Sequence, residues 1–176
     1  MKALMLIPLV LLLSGQSLTQ GTGIVTGTCS RAAHSNPGIS YDFCVAYLQA
    51  NPRSATSELG ELGLISLELA LSYASHTNYH IKELMHETGL DPNKKRCLKD
   101  CLDLYTKAID MVSKSEDALK AKRYGDVNEW VNSVMEGLDR CENGFNGSDL
   151  VSPLTEENKD LSQLGFIVLA ITSFLG

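Results

Sequence analysis

Five cysteines are the residues of this sequence whose chemistry is most constrained. They are Cys29, Cys44, Cys97, Cys101 and Cys141. A cysteine can form a disulfide, bind a metal or act as a nucleophile, and the redox compartment decides among these roles. Because the number is odd, at most two internal disulfides can form, and one thiol is left over.

Two histidines raise the question of a metal site. His76 and His80 are four residues apart, as are Cys97 and Cys101, and zinc sites use such spacings. However, the segment HTNYH lacks the glutamate of the HExxH metalloproteases. The sequence also contains no GxSxG elbow and no glycine-rich phosphate loop after a strand. We therefore expect no metal, no cofactor and no catalytic residue.

The N-terminus indicates a secreted protein. Lys2 precedes an apolar run over residues 3–13 and then small and polar residues, which is typical of a signal peptide over residues 1–20. Its removal leaves 14 basic and 21 acidic residues, one basic residue fewer than the 15 of the full chain. This acidic balance argues against nucleic acid and membranes as partners. After secretion, paired cysteines are expected to persist as disulfides.

Apolar residues at spacings of three and four predict helices from residue 57 onward. The first is expected over residues 57–88. A capping box of Asp126 and Glu129 would begin the third helix, and Ser152 would cap the fourth. No segment alternates with a period of two, so we predict no sheet. Four helices with short connections predict an all-α, up-down-up-down four-helix bundle over residues 57–176.

Residues 22–53 precede the bundle and contain two short helical segments on either side of the turn SNPG. Neither segment has enough apolar surface to be stable alone. A disulfide between Cys29 and Cys44 would join them into an N-terminal hairpin. Closing this loop of about 15 residues would stabilise the fold by about 3 kcal/mol. The whole domain is expected over residues 22–176.

Helix geometry distinguishes Cys97 from Cys101 as the partner of Cys141. The second and third helices reverse direction around residues 122–126, so residues equally far from this turn face each other. Cys101 is nearer the level of Cys141 than Cys97 is, by about 6 Å along the helix. A disulfide requires a Cα separation of about 4.4–6.8 Å. Cys101 is therefore predicted to pair with Cys141.

Cys97 is then the spare thiol, and three alternatives are open for it. It is a half-buried small hydrophobe, it forms an intermolecular bridge that makes a dimer, or it is reactive because the neighbouring segment 94–96 is basic. A lowered thiol pKa alone would not make the protein an enzyme.

Two features of the C-terminal third concern processing. Asn146 begins the sequence NGS, a candidate glycosylation site in a turn. The apolar run over residues 164–176 is too short to span a bilayer. A lipid-anchor signal is an alternative for this run. However, the helical spacing continues back to Leu161, so we expect the run to belong to the fourth helix.

Four segments together resemble the plant invertase and pectin methylesterase inhibitor family. They are YDFC (41–44), CLDLY (101–105), CENGF (141–145) and SPLTEENKDLSQL (152–164). The end of the chain is most similar to invertase inhibitors found in pollen, some of which are allergens. The resemblance implies a bundle with an N-terminal hairpin, disulfides Cys29–Cys44 and Cys101–Cys141, and no catalytic activity. Cys97 is extra to the family pattern.

The family divides by target enzyme. Its pectin methylesterase inhibitors lay the bundle across the esterase cleft in a one-to-one complex, whereas its invertase inhibitors insert a Pro-Lys-Phe stretch into the sucrose pocket. Here that stretch is AKRY (121–124), without the proline and with tyrosine for phenylalanine. Trp130 follows, as in many methylesterase inhibitors. The resemblance therefore predicts a secreted inhibitor and slightly favours pectin methylesterase over acid invertase as its target.

Lys122, Arg123, Tyr124 and Trp130 are the candidate target-binding residues. Exposed aromatic residues dominate interface energetics, but periodicity places Trp130 at the edge of the apolar stripe, which favours its burial. The plant cell wall is the expected location, and the vacuole is the alternative. A secreted binding module without inhibitory activity is a further alternative for the function.

Overall fold

The computed structural model describes residues 18–176, with side chains from residue 23 onward. The predicted signal peptide lies outside the described residues, except for residues 18–20. Within the described range there are six α-helices and one 3-10 turn, and no strand, which confirms the all-α prediction. They are α1 Leu18–Ser35, α2 Tyr41–Gln49, the 3-10 turn Pro52–Thr56, α3 Leu59–Met85, α4 Pro92–Lys120, α5 Tyr124–Asn146 and α6 Thr155–Leu175.

Helices α3 to α6 form the predicted four-helix bundle. Each packs against the helix before and after it in the chain, and α6 closes the ring by packing against α3. The diagonal pairs make no close backbone approach. Short connections between sequential neighbours make each helix antiparallel to the next, which is the up-down-up-down arrangement.

Local signals in the sequence account for most of the helix boundaries. The side chain of Asp91 caps α4 by accepting hydrogen bonds from the backbone N–H groups of Asn93 and Lys94 at 2.9 and 3.0 Å. Pro92 follows at the first helical position, where its missing N–H is not needed. Ser40 caps α2 in the same way, through the N–H of Phe43.

Two predicted helix starts are wrong. Helix α5 begins at Tyr124 without a side-chain cap, and Asp126 lies in its first turn, where it forms an ion pair with Arg123 instead of a capping box. The N–H of Val127 already bonds to the carbonyl of Arg123, so the helix starts earlier. Helix α6 begins at Thr155, because Ser152 and the two residues after it form a separate turn.

The main core lies between the four bundle helices. Its largest fully buried side chains include Tyr105 and Phe145, and burying each apolar side chain contributes about 1.5–3 kcal/mol. The apolar C-terminal run belongs to this fold, since Ile167, Val168 and Ile171 of α6 are all buried. None of the helices in the described part of the chain is long and apolar enough to cross a membrane.

The N-terminal hairpin packs against one side of the bundle. Val25 and Leu48 of the hairpin form a second core with Leu62 and Ile65 of α3 and with the end of α6. The hairpin is closed by the Cys29–Cys44 disulfide, with a Cα separation of 5.7 Å. Arg53 of the 3-10 turn also forms ion pairs with Glu61 and Glu68 of α3. The hairpin is thus joined to the half of α3 that begins the bundle.

Candidate functional site

The structure confirms the predicted disulfide of the bundle and leaves Cys97 as the free thiol. Cys101 and Cys141 are bonded with a Cα separation of 5.0 Å. Cys97 is only 3% exposed, and its thiol donates to the carbonyl of Gly144 at 3.3 Å. This is deeper burial than the half-buried position expected. An intermolecular bridge would require this thiol to leave its buried position.

The histidines do not converge on a metal site. His76 is exposed, and the Nδ1 atom of His80 lies 2.9 Å from a carboxylate oxygen of Glu157 on α6. Among residues 23–176, no group of three or more histidine, cysteine or acidic side chains is placed to hold a metal ion. This hydrogen bond gives His80 a structural role between α3 and α6.

Next to the bundle disulfide lies a partly buried polar network that no sequence pattern predicted. The hydroxyl of Tyr105 donates to Asn158 at 2.7 Å, and the amide of Asn158 donates to Glu142 at 2.5 Å. The hydroxyls of Ser152 and Thr155 donate to the same carboxylate at 2.9 and 3.0 Å. Burial is the main cause that raises the pKa of Tyr105, so its hydroxyl remains a donor. The network joins α4, α5 and α6.

The signal for this network was the position of Asn158 on α6. It lies one turn before Leu161 on the buried face, and it is only 3% exposed. A polar residue on an apolar stripe must find hydrogen-bond partners when it is buried. Periodicity marks the position, but it does not identify the partners on other helices.

The candidate target-binding segment lies at the opposite end of the bundle, in the turn between α4 and α5. The N–H of Lys122 bonds to the carbonyl of Leu119, and the N–H of Arg123 bonds to that of Ala118, at 2.9 and 2.8 Å. This is the Schellman pattern that ends many helices. It requires a left-handed residue, usually glycine, and here Lys122 takes that conformation with φ of 58°. A side chain at this position costs about 1 kcal/mol.

Lys122 lines a surface hollow of about 440 Å³. Its apolar lining comes from Leu64, Leu119, Leu175 and the half-buried Tyr124. Lys120, Glu58 and Gly60 complete the lining, so the hollow carries two positive charges and one negative charge.

The remaining candidates differ in how available they are. Arg123 is exposed, but its guanidinium forms an ion pair with Asp126 in the first turn of α5. Trp130 is half-buried and packs against the main core. Its position at the edge of the apolar stripe predicted burial, and the burial is partial. It lies six residues beyond Tyr124 and does not line the hollow. The structure therefore groups Lys122 and Tyr124 and leaves Trp130 apart.

Asn146 is exposed at the last residue of α5, at the far end of the bundle from Lys122. With 23 residues in α5, the two positions are separated by roughly 34 Å along the helix. A glycan on Asn146 would project near the disulfide and would not cover the α4–α5 turn.

Comparison with known proteins shows which family and which proteins this chain is similar to. Residues 23–171 match the family described as "Plant invertase/pectin methylesterase inhibitor". The chain is 40% identical over 154 residues to a Platanus acerifolia protein named "Putative invertase inhibitor", covering 87% of this chain and 86% of the relative. It is 29% identical to a "Pectinesterase inhibitor" of Actinidia deliciosa, over 75% of this chain and 71% of the relative.

A solved structure shows the same fold. The crystal structure of mutant form A of a pectin methylesterase inhibitor from Arabidopsis is similar, with a TM-score of 0.70 and 21% sequence identity. The similarity covers 85% of this chain and 95% of the other. Together with the family match over most of its length, this result identifies the sequence: the chain belongs to the plant invertase/pectin methylesterase inhibitor family.

Proposed function

We propose that this protein is a secreted inhibitor that binds one molecule of a plant carbohydrate enzyme and blocks its active-site cleft, without chemistry of its own. The observation that carries the proposal is the left-handed conformation of Lys122 at the exposed α4–α5 turn. Glycine would form the same turn with less strain. A lysine in this conformation supports a role for its side chain outside the fold, since strained residues concentrate at functional sites.

Charge supports the α4–α5 turn as the contact surface. The chain is acidic overall, with a formal net charge of −6, yet Lys122 is exposed at this turn. Lys120 also lines the hollow, where it is balanced by Glu58 in the same lining and by its ion pair with Asp117. An exposed lysine at the end of an acidic molecule favours one orientation toward a cleft that carries carboxylates. The half-buried ring of Tyr124 adds rigid apolar area beside the two lysines.

Acid invertase is the first target that we propose, and pectin methylesterase is the second. The sequence slightly favoured the esterase because AKRY (121–124) departs from the Pro-Lys-Phe stretch and because Trp130 follows it. However, Trp130 does not line the hollow with Lys122 and Tyr124. The two relatives that are 40% and 38% identical are both named "Putative invertase inhibitor". The relative named "Pectinesterase inhibitor" is 29% identical, so the esterase is the second candidate target.

The test is inhibition of both enzymes by the purified disulfide-bonded chain between pH 4 and 7. Lys122→Glu should weaken inhibition of the true target by tenfold or more, which corresponds to about 1.4 kcal/mol. The matched control is Lys95→Glu, at an exposed position near the opposite end of α4, which should leave inhibition unchanged. If the unmodified chain inhibits neither enzyme, the proposal is wrong and the non-inhibitory binding module takes its place.

Secretion and glycosylation are part of the same proposal. Cleavage of residues 1–20 and a glycan on Asn146 would be expected for a protein of the plant cell wall, with the vacuole as the alternative location. One Arabidopsis relative is named "Cell wall / vacuolar inhibitor of fructosidase 2". Mass spectrometry of the chain recovered from the medium of plant cells would show both modifications, and an intact N-terminus on cell-retained protein would contradict secretion.

A further inference from the structure

Glu116 differs in its environment from the other acidic side chains that the structure describes. It lies on α4, one turn before Lys120. Its Oε1 atom is shielded from solvent and has no hydrogen-bond partner among the described residues. A shielded carboxylate oxygen without a partner is unfavourable when the group is charged, because the lost hydration is not replaced.

The neighbouring charges do not remove this cost. Glu68 on α3 and Asp117 on α4 repel a negative charge on Glu116, while Lys120 attracts it. The carboxylate of Glu68 is itself held by Arg53 of the 3-10 turn, so that guanidinium is already engaged. Lys120 is shared with Asp117, at 3.8 Å. Arg53 also pairs with Glu61 of α3.

The balance of these effects disfavours the charged carboxylate of Glu116, which is a half-buried side chain. Burial is the largest cause that raises the pKa of Glu116, and Glu68 and Asp117 raise it further against the opposing effect of Lys120. In the unfolded chain the same carboxyl is hydrated and has its ordinary pKa. The folded protein therefore binds the proton more tightly than the unfolded chain does.

We propose that Glu116 is a proton-linked element whose own contribution to the stability of the fold is less unfavourable in acid than at neutral pH. Because the folded-state pKa is above the unfolded one, the destabilising effect of Glu116 is present at neutral pH. It disappears as the pH falls through the folded pKa and is absent below the unfolded pKa. This inference concerns the fold alone and holds whichever enzyme the protein inhibits.

The test compares the unmodified chain with Glu116→Gln, which resembles the protonated carboxyl at every pH. Melting temperatures are measured at pH 4 and pH 7. Glu116→Gln should melt higher than the unmodified chain at pH 7, by a few degrees, and the difference should shrink toward zero at pH 4. The matched control is Glu136→Gln at an exposed position, which should show no such pH-dependent difference. An equal difference at both pH values, or none at pH 7, would overturn the proposal.

A second variant separates repulsion from burial. In the background of Glu68→Gln, the rise caused by Glu116→Gln at pH 7 should be smaller, because one of the repelling charges is already gone. Both proteins in this comparison carry Glu68→Gln and lack the Arg53–Glu68 ion pair. The loss of that ion pair therefore does not contribute to the difference between them. An undiminished rise would overturn the role assigned to Glu68.

Discussion

The two ends of the four-helix bundle are built from different interactions. At one end, the Cys101–Cys141 disulfide and a partly buried network around Glu142 join α4, α5 and α6. At the other end, the α4–α5 turn presents Lys122 in a strained conformation beside an open hollow. The first end contributes mainly to stability, whereas the second holds side chains available to another molecule. This difference predicts that substitutions at the two ends separate stability from inhibition.

The largest expected effect is at the disulfide end. Cys141→Ala opens a loop with a sequence separation of 40 residues. The chain-entropy model assigns such a crosslink about 4 kcal/mol of the free energy of unfolding. Urea unfolding under non-reducing conditions measures the change. Cys97→Ala is the control, since it removes one buried thiol and no crosslink, and it should destabilise by only about 1 kcal/mol. Equal midpoints for the two variants would contradict the comparison.

The buried polar network should give the next largest effect. Asn158→Leu removes the acceptor of the buried Tyr105 hydroxyl and one of the three donors to the Glu142 carboxylate, at a cost of about 2–3 kcal/mol. Asn143→Leu, at an exposed position of α5, makes the same chemical change and should cost less than about 0.5 kcal/mol. If both variants retain the inhibition constant of the unmodified chain at a temperature where they are folded, the two ends are separable. A loss of inhibition in the folded Asn158→Leu protein would break that separation.

The sequence alone predicted the features that follow from regular helix geometry. The pairing of Cys141 with Cys101 follows from a rise of about 1.5 Å per residue on two helices joined by a short turn. The buried C-terminal run followed from spacing that continued back to Leu161. The partners of Asn158 lie on other helices, so no local pattern indicates them. The left-handed φ of Lys122 was also invisible, because its sequence position lacks the glycine that marks such a turn.

Lys122→Gly should have the smallest effect on stability, and the effect should have the opposite sign. Glycine takes a positive φ without strain, so the free energy of unfolding should rise by up to about 1 kcal/mol. Ala121→Gly is the matched control: Ala121 has φ of −82°, so the change adds only flexibility and should lower stability by about 0.5–1 kcal/mol. Urea unfolding gives both values, and the inhibition assay is run on the same samples. A Lys122→Gly protein that is more stable and inhibits less would show that the lysine side chain contributes to inhibition and lowers stability. A more stable protein with full inhibition would mean that the turn tolerates lysine for no reason connected with the target.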